Sequence, residues 1–285
     1  MNKVAILTDS CAYFPAGEAE KYGIHTIPLN LQVGDTIYKD DTPEARERFF
    51  RAQETGGALP QVQPPTVQEF EAMYAQLHQE TDQIIAMHVS RKLSNTYEKS
   101  KLGAESLLGR CSIEVIDSHS IMLGQGILVK AAAEAAQNGA SLDDVVRLVR
   151  GMISHIYLVF YVETMDYLER SKRVGKAQSI LGTMMRIKPL LFMEDGEIIP
   201  LEKVKTREKA IEKLVEFVAE FDTIEQAVTF QRSLQESKPG KLLLEQLHQL
   251  FPDKEFPVIQ YNPLLASFVG PTALGVVVYE GLEGF

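Results

Sequence analysis

The stretch Ser90-Arg91-Lys92-Leu93-Ser94-Asn95-Thr96-Tyr97 gathers the hydroxyls of Ser90, Ser94 and Thr96 and the amide of Asn95 into one short segment. It follows the apolar run Ile84–Val89, which is short, flanked by polar residues and reads as a buried strand. It precedes Tyr97–Leu108, which reads as a helix, so Ser94 is the expected N-cap. Position 97, where a capping box needs Glu or Gln, holds Tyr, and no side-chain acceptor reaches back. The first turn thereby keeps its positive dipole end and several N–H donors, which is the chemistry of an oxyanion site. An ordinary capped helix has the same residues, and on this stretch alone it is the simpler reading.

A second chemistry competes. Asp9 and Asp117 each close a strand-like run, and two strand-end carboxylates can hold Mg²⁺ or act as a base. A metal-assisted hydrolase or phosphotransferase would use them. The sequence holds no P-loop, Gly-x-Ser-x-Gly elbow or His-Glu-x-x-His to accompany them. The 6 histidines form no evident metal pair, and His119, beside Asp117, is the one expected near that crevice.

The elements that must position these groups follow from the hydrophobic pattern. Val4–Thr8, Gln83–Val89 and Ile113–Ile116 read as buried strands ending in Asp9-Ser10, Ser90 and Asp117-Ser118. Ile24–Val33 is a further strand-like run in which Pro28 marks a bulge or an edge. Thr42-Pro43-Glu44 starts a helix, and Thr66 with Glu69 forms a capping box for another. Pro60–Pro65 is extended because each proline pushes its predecessor out of the helical region. Leu123–Gln137 is helical, and Ser141 caps the next helix. Strands alternating with helices give an α/β domain over residues 1–153 with a mainly parallel sheet. In such a sheet ligands sit at the carboxyl ends of the strands, where all three polar clusters converge. Residues 154–285 read as a mixed α+β domain, with a hairpin turn at Glu194-Asp195-Gly196-Glu197.

Bulk properties narrow the function. At 285 residues, with 45% apolar and 24% charged residues, the chain is an ordinary globular protein able to bury a large core. A net charge of −10 argues against a nucleic-acid binder. No apolar run approaches bilayer length, and the N-terminus does not read as a signal peptide. The 2 cysteines, Cys11 and Cys111, supply neither a disulfide framework nor a metal set, so a cytoplasmic protein is expected.

The serine-rich turn closing on Leu93-Ser94-Asn95-Thr96-Tyr97 resembles the Leu-Ser-(Gly/Asn)-Thr-Tyr of the DegV family. Further stretches fit the family pattern in order. They are Thr8-Asp9-Ser10, Gln63-Pro64, Asp117-Ser118 with Gly124-Gln125-Gly126, Leu168–Val174, Ile187–Leu191 with Asp195-Gly196, Lys203–Arg207, and Gly270–Gly275. The resemblance implies a bacterial, non-enzymatic protein that buries a long-chain fatty acid, palmitate-like, in a tunnel between the domains and presents it to a fatty-acid kinase. It places the carboxylate at the Ser94 turn, with Ser90, Asn95, Thr96, Gln61 and Gln63 as ligand-binding neighbours. Ile180, Leu181, Met184 and Met185 fall at helical spacing as tunnel lining. Arg170, Arg173 and Lys205 are the partner-docking candidates. No cofactor or metal is implied. Three positions depart from the pattern: Phe268 stands where the family has a histidine, Gln61 replaces a threonine, and Lys205 stands where arginine is common.

Overall fold

The computed structural model describes residues 4–39, 42–54, 61–163, 167–168, 187–234 and 237–282. The chain divides into two units, Met1–Ser154 and His155–Phe285.

The first unit is built on a parallel sheet in the order β2-β1-β6-β7, formed by β1 (Val4–Asp9), β2 (Ile24–Ile27), β6 (Gln83–His88) and β7 (Ser112–Asp117). Every residue of β1 is buried, as expected of a strand covered on both faces. The run through Ile24–Val33 is split around Pro28. Its first part pairs with β1, while β3 (Asn30–Val33) leaves to form a small antiparallel sheet with β4 (Thr36–Lys39) and β5 (Gln61–Gln63). Proline cannot donate to a ladder, so one long strand cannot run through it. That three-stranded sheet was not expected from the sequence.

The helices of this unit are α1 (Glu18–Lys21), α2 (Pro43–Glu54), α3 (Val67–Leu77), α4 (Thr96–Ala104), α5 (Leu123–Gln137) and α6 (Leu142–Met152). The capping box at Thr66 and Glu69 is present with both reciprocal bonds, and Ser141 caps α6 through the Asp144 N–H. Phe70, Tyr74 and Leu77 of α3 pack on Leu7, Ile84 and Ala86 of the sheet.

The second unit carries a six-stranded sheet in the order β10-β9-β8-β13-β11-β12. Its strands are β8 (Ile156–Tyr161), β9 (Lys188–Glu194), β10 (Glu197–Val204), β11 (Gln226–Gln231), β12 (Val258–Gln260) and β13 (Leu274–Tyr279). The β9–β10 turn has positive φ at Asp195 (48°) and Gly196 (78°), the twist a two-residue hairpin needs. Pro200 sits in the edge strand β10 beside a register shift, the place a sheet tolerates proline. The helices α7 (Arg207–Ala219) and α8 (Lys238–Leu250) bury Ile211, Leu214, Leu243 and Leu247 in one core with Val159, Val276 and Val278. A short helix, α9 (Pro263–Val269), is capped by the Asn262 side chain and was not expected from the sequence. Among the described residues no helix is long and apolar enough to cross a membrane.

Candidate functional site

In the first unit the chain leaves β1 for β2 on one side and later returns as β6 on the other. Strand order therefore reverses at the β1/β6 pair, and the crevice at their carboxyl ends is the default ligand position of such a sheet. Asp9, Ser10 and Ser90 stand at those ends, with Asp117 closing the adjacent β7 and Ser118 just after it.

Most of these polar side chains are consumed by the loops themselves. The Ser10 hydroxyl accepts from the Leu29 N–H at 3.0 Å, and Ser90 accepts from the Lys92 N–H at 3.2 Å. Ser118 donates to the Ser120 carbonyl and accepts from its N–H, both at 3.1 Å. Asp117 accepts from the Arg91 and His119 N–H groups at 3.2 and 3.0 Å, with the Arg91 and His119 side chains close by. These residues fix the loop shape, and among them the buried Asp117 Oδ2 is left without a hydrogen-bond partner.

The surroundings of Asp9 speak against the competing metal-assisted reading. Asp9 is fully buried, with one carboxylate oxygen taking the Cys11 N–H at 3.0 Å. The other takes the Val89 N–H at 2.9 Å and the Nδ1 proton of His88 at 3.0 Å. With three donors already bound in a dry site, Asp9 has little left to offer a hydrated cation. Among the described residues no group of three or more His, Cys, Asp and Glu side chains is arranged to hold a metal. The histidine at the crevice is thus His88 as well as His119.

His88 continues the array. Its Nε2 lies 2.7 Å from the Ser100 Oγ, which lies 2.6 Å from the Tyr74 hydroxyl. Asp9, His88 and Ser100 have the hydrogen-bond order of a nucleophilic triad. Yet Ser100 and Tyr74 are buried to 0% exposure, so no substrate reaches the serine oxygen. Burial pushes the Tyr74 hydroxyl well above the ordinary tyrosine range, with the Ser100 bond opposing in part, so it stays protonated and able to donate. Sequence reading missed this array. Its signal was a histidine inside an otherwise apolar strand, since a buried imidazole needs partners.

What remains open is the start of α4. The helix begins at Thr96, so the cap position falls on Asn95 rather than Ser94, and the Asn95 side chain makes no capping bond. Residues 90–94 instead form a turn in which the Leu93 and Ser94 N–H groups donate to the Ser90 carbonyl at 2.9 and 3.1 Å. The first bond of the helix is Lys99 N–H to the Asn95 carbonyl at 3.1 Å, and the N–H groups before it have no partner within the helix. The buried hydroxyls of Ser94 and Thr96 lie 2.8 Å apart. One proton serves that contact, which leaves the pair a second proton for an oxygen placed at the turn.

The other expected site residues are scattered. Gln61 is exposed in β5, and Gln63 donates to the Gln32 side chain of β3. In the second unit Phe268 is buried on α9, and Lys205 is exposed just before the Thr206 cap of α7. Ile180, Leu181, Met184, Met185, Arg170 and Arg173 lie outside the described residues.

The second unit also holds a cavity of about 210 Å³ where β8, β11 and β13 meet the starts of α7 and α8, lined in part by Tyr161, Glu163, Arg207 and Arg232. Glu163 pairs with Arg207 at 2.7 Å and with Lys188. Burial raises its affinity for a proton, but the Arg207 and Lys188 bonds outweigh it and hold the carboxyl below the usual range. A carboxyl lowered by folding stabilises the native state above the ordinary pKa of about 4.3, and that contribution is lost as pH falls through the folded value. The contribution of this pair to the stability of the unit is therefore expected to fall away as the pH drops below about 4.3. Glu163→Gln should flatten that part of a urea-midpoint profile.

The family model described as "Uncharacterised protein, DegV family" matches residues 3–281. A DegV domain-containing protein of Streptomyces coelicolor, SCO2569, is 31% identical over 277 residues, covering 96% of this chain and 98% of the relative. The structure of DegV from Bacillus subtilis, described as a fatty acid binding protein, superposes with a TM-score of 0.86 at 27% identity, covering 98% of this chain and all of that one. A DegV family protein from Thermus thermophilus, described for its fatty acid binding, gives the same TM-score at 25% identity and the same coverage. With its mainly parallel first sheet, its separate mixed sheet and a motif order that runs the length of the sequence, the chain belongs to the DegV family.

Proposed function

We propose that this protein binds one long-chain fatty acid without transforming it and holds the carboxylate at the start of α4. The observation that carries this reading is the uncapped first turn beside the Ser94–Thr96 hydroxyl pair, placed where the strand order reverses. Helix N-terminal donors and a positive dipole end favour an anion, and the hydroxyl pair has a proton to give it. The fatty-acid binding named for the Bacillus subtilis and Thermus thermophilus structures supports the choice of ligand.

An aliphatic tunnel for the acyl chain, leading away from this turn, belongs to the same proposal. Each buried methylene contributes about 0.8 kcal/mol, so a long acyl chain supplies on the order of 10 kcal/mol before association and ordering are subtracted. One head-group hydrogen bond contributes roughly 1–3 kcal/mol. The chain therefore governs affinity, and the α4 turn governs orientation and preference for the acid. Loss of the family histidine leaves lipid binding in place on this balance. Presentation of the carboxylate to a fatty-acid kinase is the function such an orientation would serve, with Arg170, Arg173 and Lys205 as docking residues.

Ser94→Ala tests the head-group role. It is expected to weaken palmitate by about tenfold, ~1.4 kcal/mol, and 1-hexadecanol far less. Titration of both ligands against both proteins decides it, and equal losses for acid and alcohol would remove the head group from Ser94.

A further inference from the structure

The array Asp9–His88–Ser100–Tyr74 ties the ends of β1 and β6 to the second turn of α4 and the last turn of α3. Resting on the fatty-acid reading, we propose that it is the positioning device of the head-group turn. On this view His88 and Ser100 act as positioning residues that set how α4 presents its first-turn donors.

The proton order follows from the ends of the array. Asp9 accepts three donors, so His88 Nδ1 carries a proton toward it. With a neutral imidazole, Nε2 accepts from the Ser100 hydroxyl, and the Ser100 oxygen accepts from Tyr74. Every polar atom of the array is then satisfied. The Phe70 ring, 5.2 Å from the imidazole and nearly perpendicular to it, holds the imidazole plane.

Two features tie this array to the ligand turn rather than to bulk stability. Ser100 lies four residues after Thr96, on the same face of α4, so a shift at Ser100 moves the Ser94–Thr96 pair directly. In addition, apolar side chains of similar volume stabilise a core as well as a buried polar array does. What the array adds is a single allowed rotation and depth for α4. Asp9 further anchors the Val89 N–H, one residue before the turn begins.

The test compares palmitate with 1-hexadecanol on the wild type, Ser94→Ala, Ser100→Ala and Tyr74→Phe, each confirmed as folded by circular dichroism. Ser100→Ala is expected to weaken palmitate about tenfold, ~1.4 kcal/mol, and the alcohol by less than about twofold. Tyr74→Phe, which keeps the ring, should show the same acid-selective loss at about threefold, and it carries the test should Ser100→Ala fail to fold. Loss of both ligands in equal measure, or unchanged palmitate binding in the folded variants, would overturn the positioning role and leave the array as plain core. A wild type that does not prefer the acid, with Ser94→Ala silent, would instead overturn the head-group reading itself.

Discussion

Asp9→Ala is expected to lower the stability of the first unit by about 3–5 kcal/mol, because it removes one half of a buried, hydrogen-bonded pair and strands its donors. The Cys11 and Val89 N–H groups and the His88 Nδ1 proton all end on this carboxylate, and both Asp9 and His88 are buried to 0% exposure. Asp9→Asn keeps the shape but turns an NH₂ toward at least one of the three donors, so a loss of about 2 kcal/mol is expected there. A catalytic or metal-binding Asp9 predicts the opposite pattern: Asn leaves the urea midpoint unchanged and abolishes a metal-dependent turnover. Urea titrations of the two variants followed by far-ultraviolet circular dichroism separate the cases.

Gly126→Ala is the second large effect. Gly126 lies in the first turn of α5, where Met122 makes a bridge to Ala12 and its carbonyl accepts from the Tyr13 N–H. A Cβ at this position would stand 2.0 Å from the Tyr13 carbonyl oxygen, a backbone atom that cannot swing aside. The loop after β1 and the start of α5 must separate, at a cost of about 3 kcal/mol. Gly151→Ala is the internal control. A Cβ there meets nothing within 4 Å in the last turn of α6, so helix propensity alone predicts a gain of about 0.5–1 kcal/mol. Thermal midpoints moving in opposite directions would confirm that the second glycine of Gly124-Gln125-Gly126 is there for backbone approach. Midpoints moving together would deny it.

Elements set by local chemistry were legible in the sequence. The all-buried strand Val4–Asp9, the caps at Thr66 and Ser141, the helix Leu123–Gln137 and the turn at Asp195-Gly196 each follow from residues adjacent in the chain. Pro28 announced an interruption, but nothing local said that the residues after it would leave the main sheet for a second one. The helix carrying Phe268 escaped because seven residues are too few for a hydrophobic period to declare itself.

At the site, the turn was legible and its cap was not. Ser94 and Asn95 are both good capping residues, and the chain around them offers no local signal that decides between the two. The array on His88 was the least legible feature. Its bonds join residues 79, 12 and 26 positions apart, and only the packing of α3 and α4 on the sheet brings them together.

Lipid extraction puts the whole account at risk most directly. Protein purified without added ligand, denatured and extracted into organic solvent, should release a long-chain fatty acid at about one per chain by mass spectrometry. A preparation free of lipid that also takes up no added palmitate would contradict it.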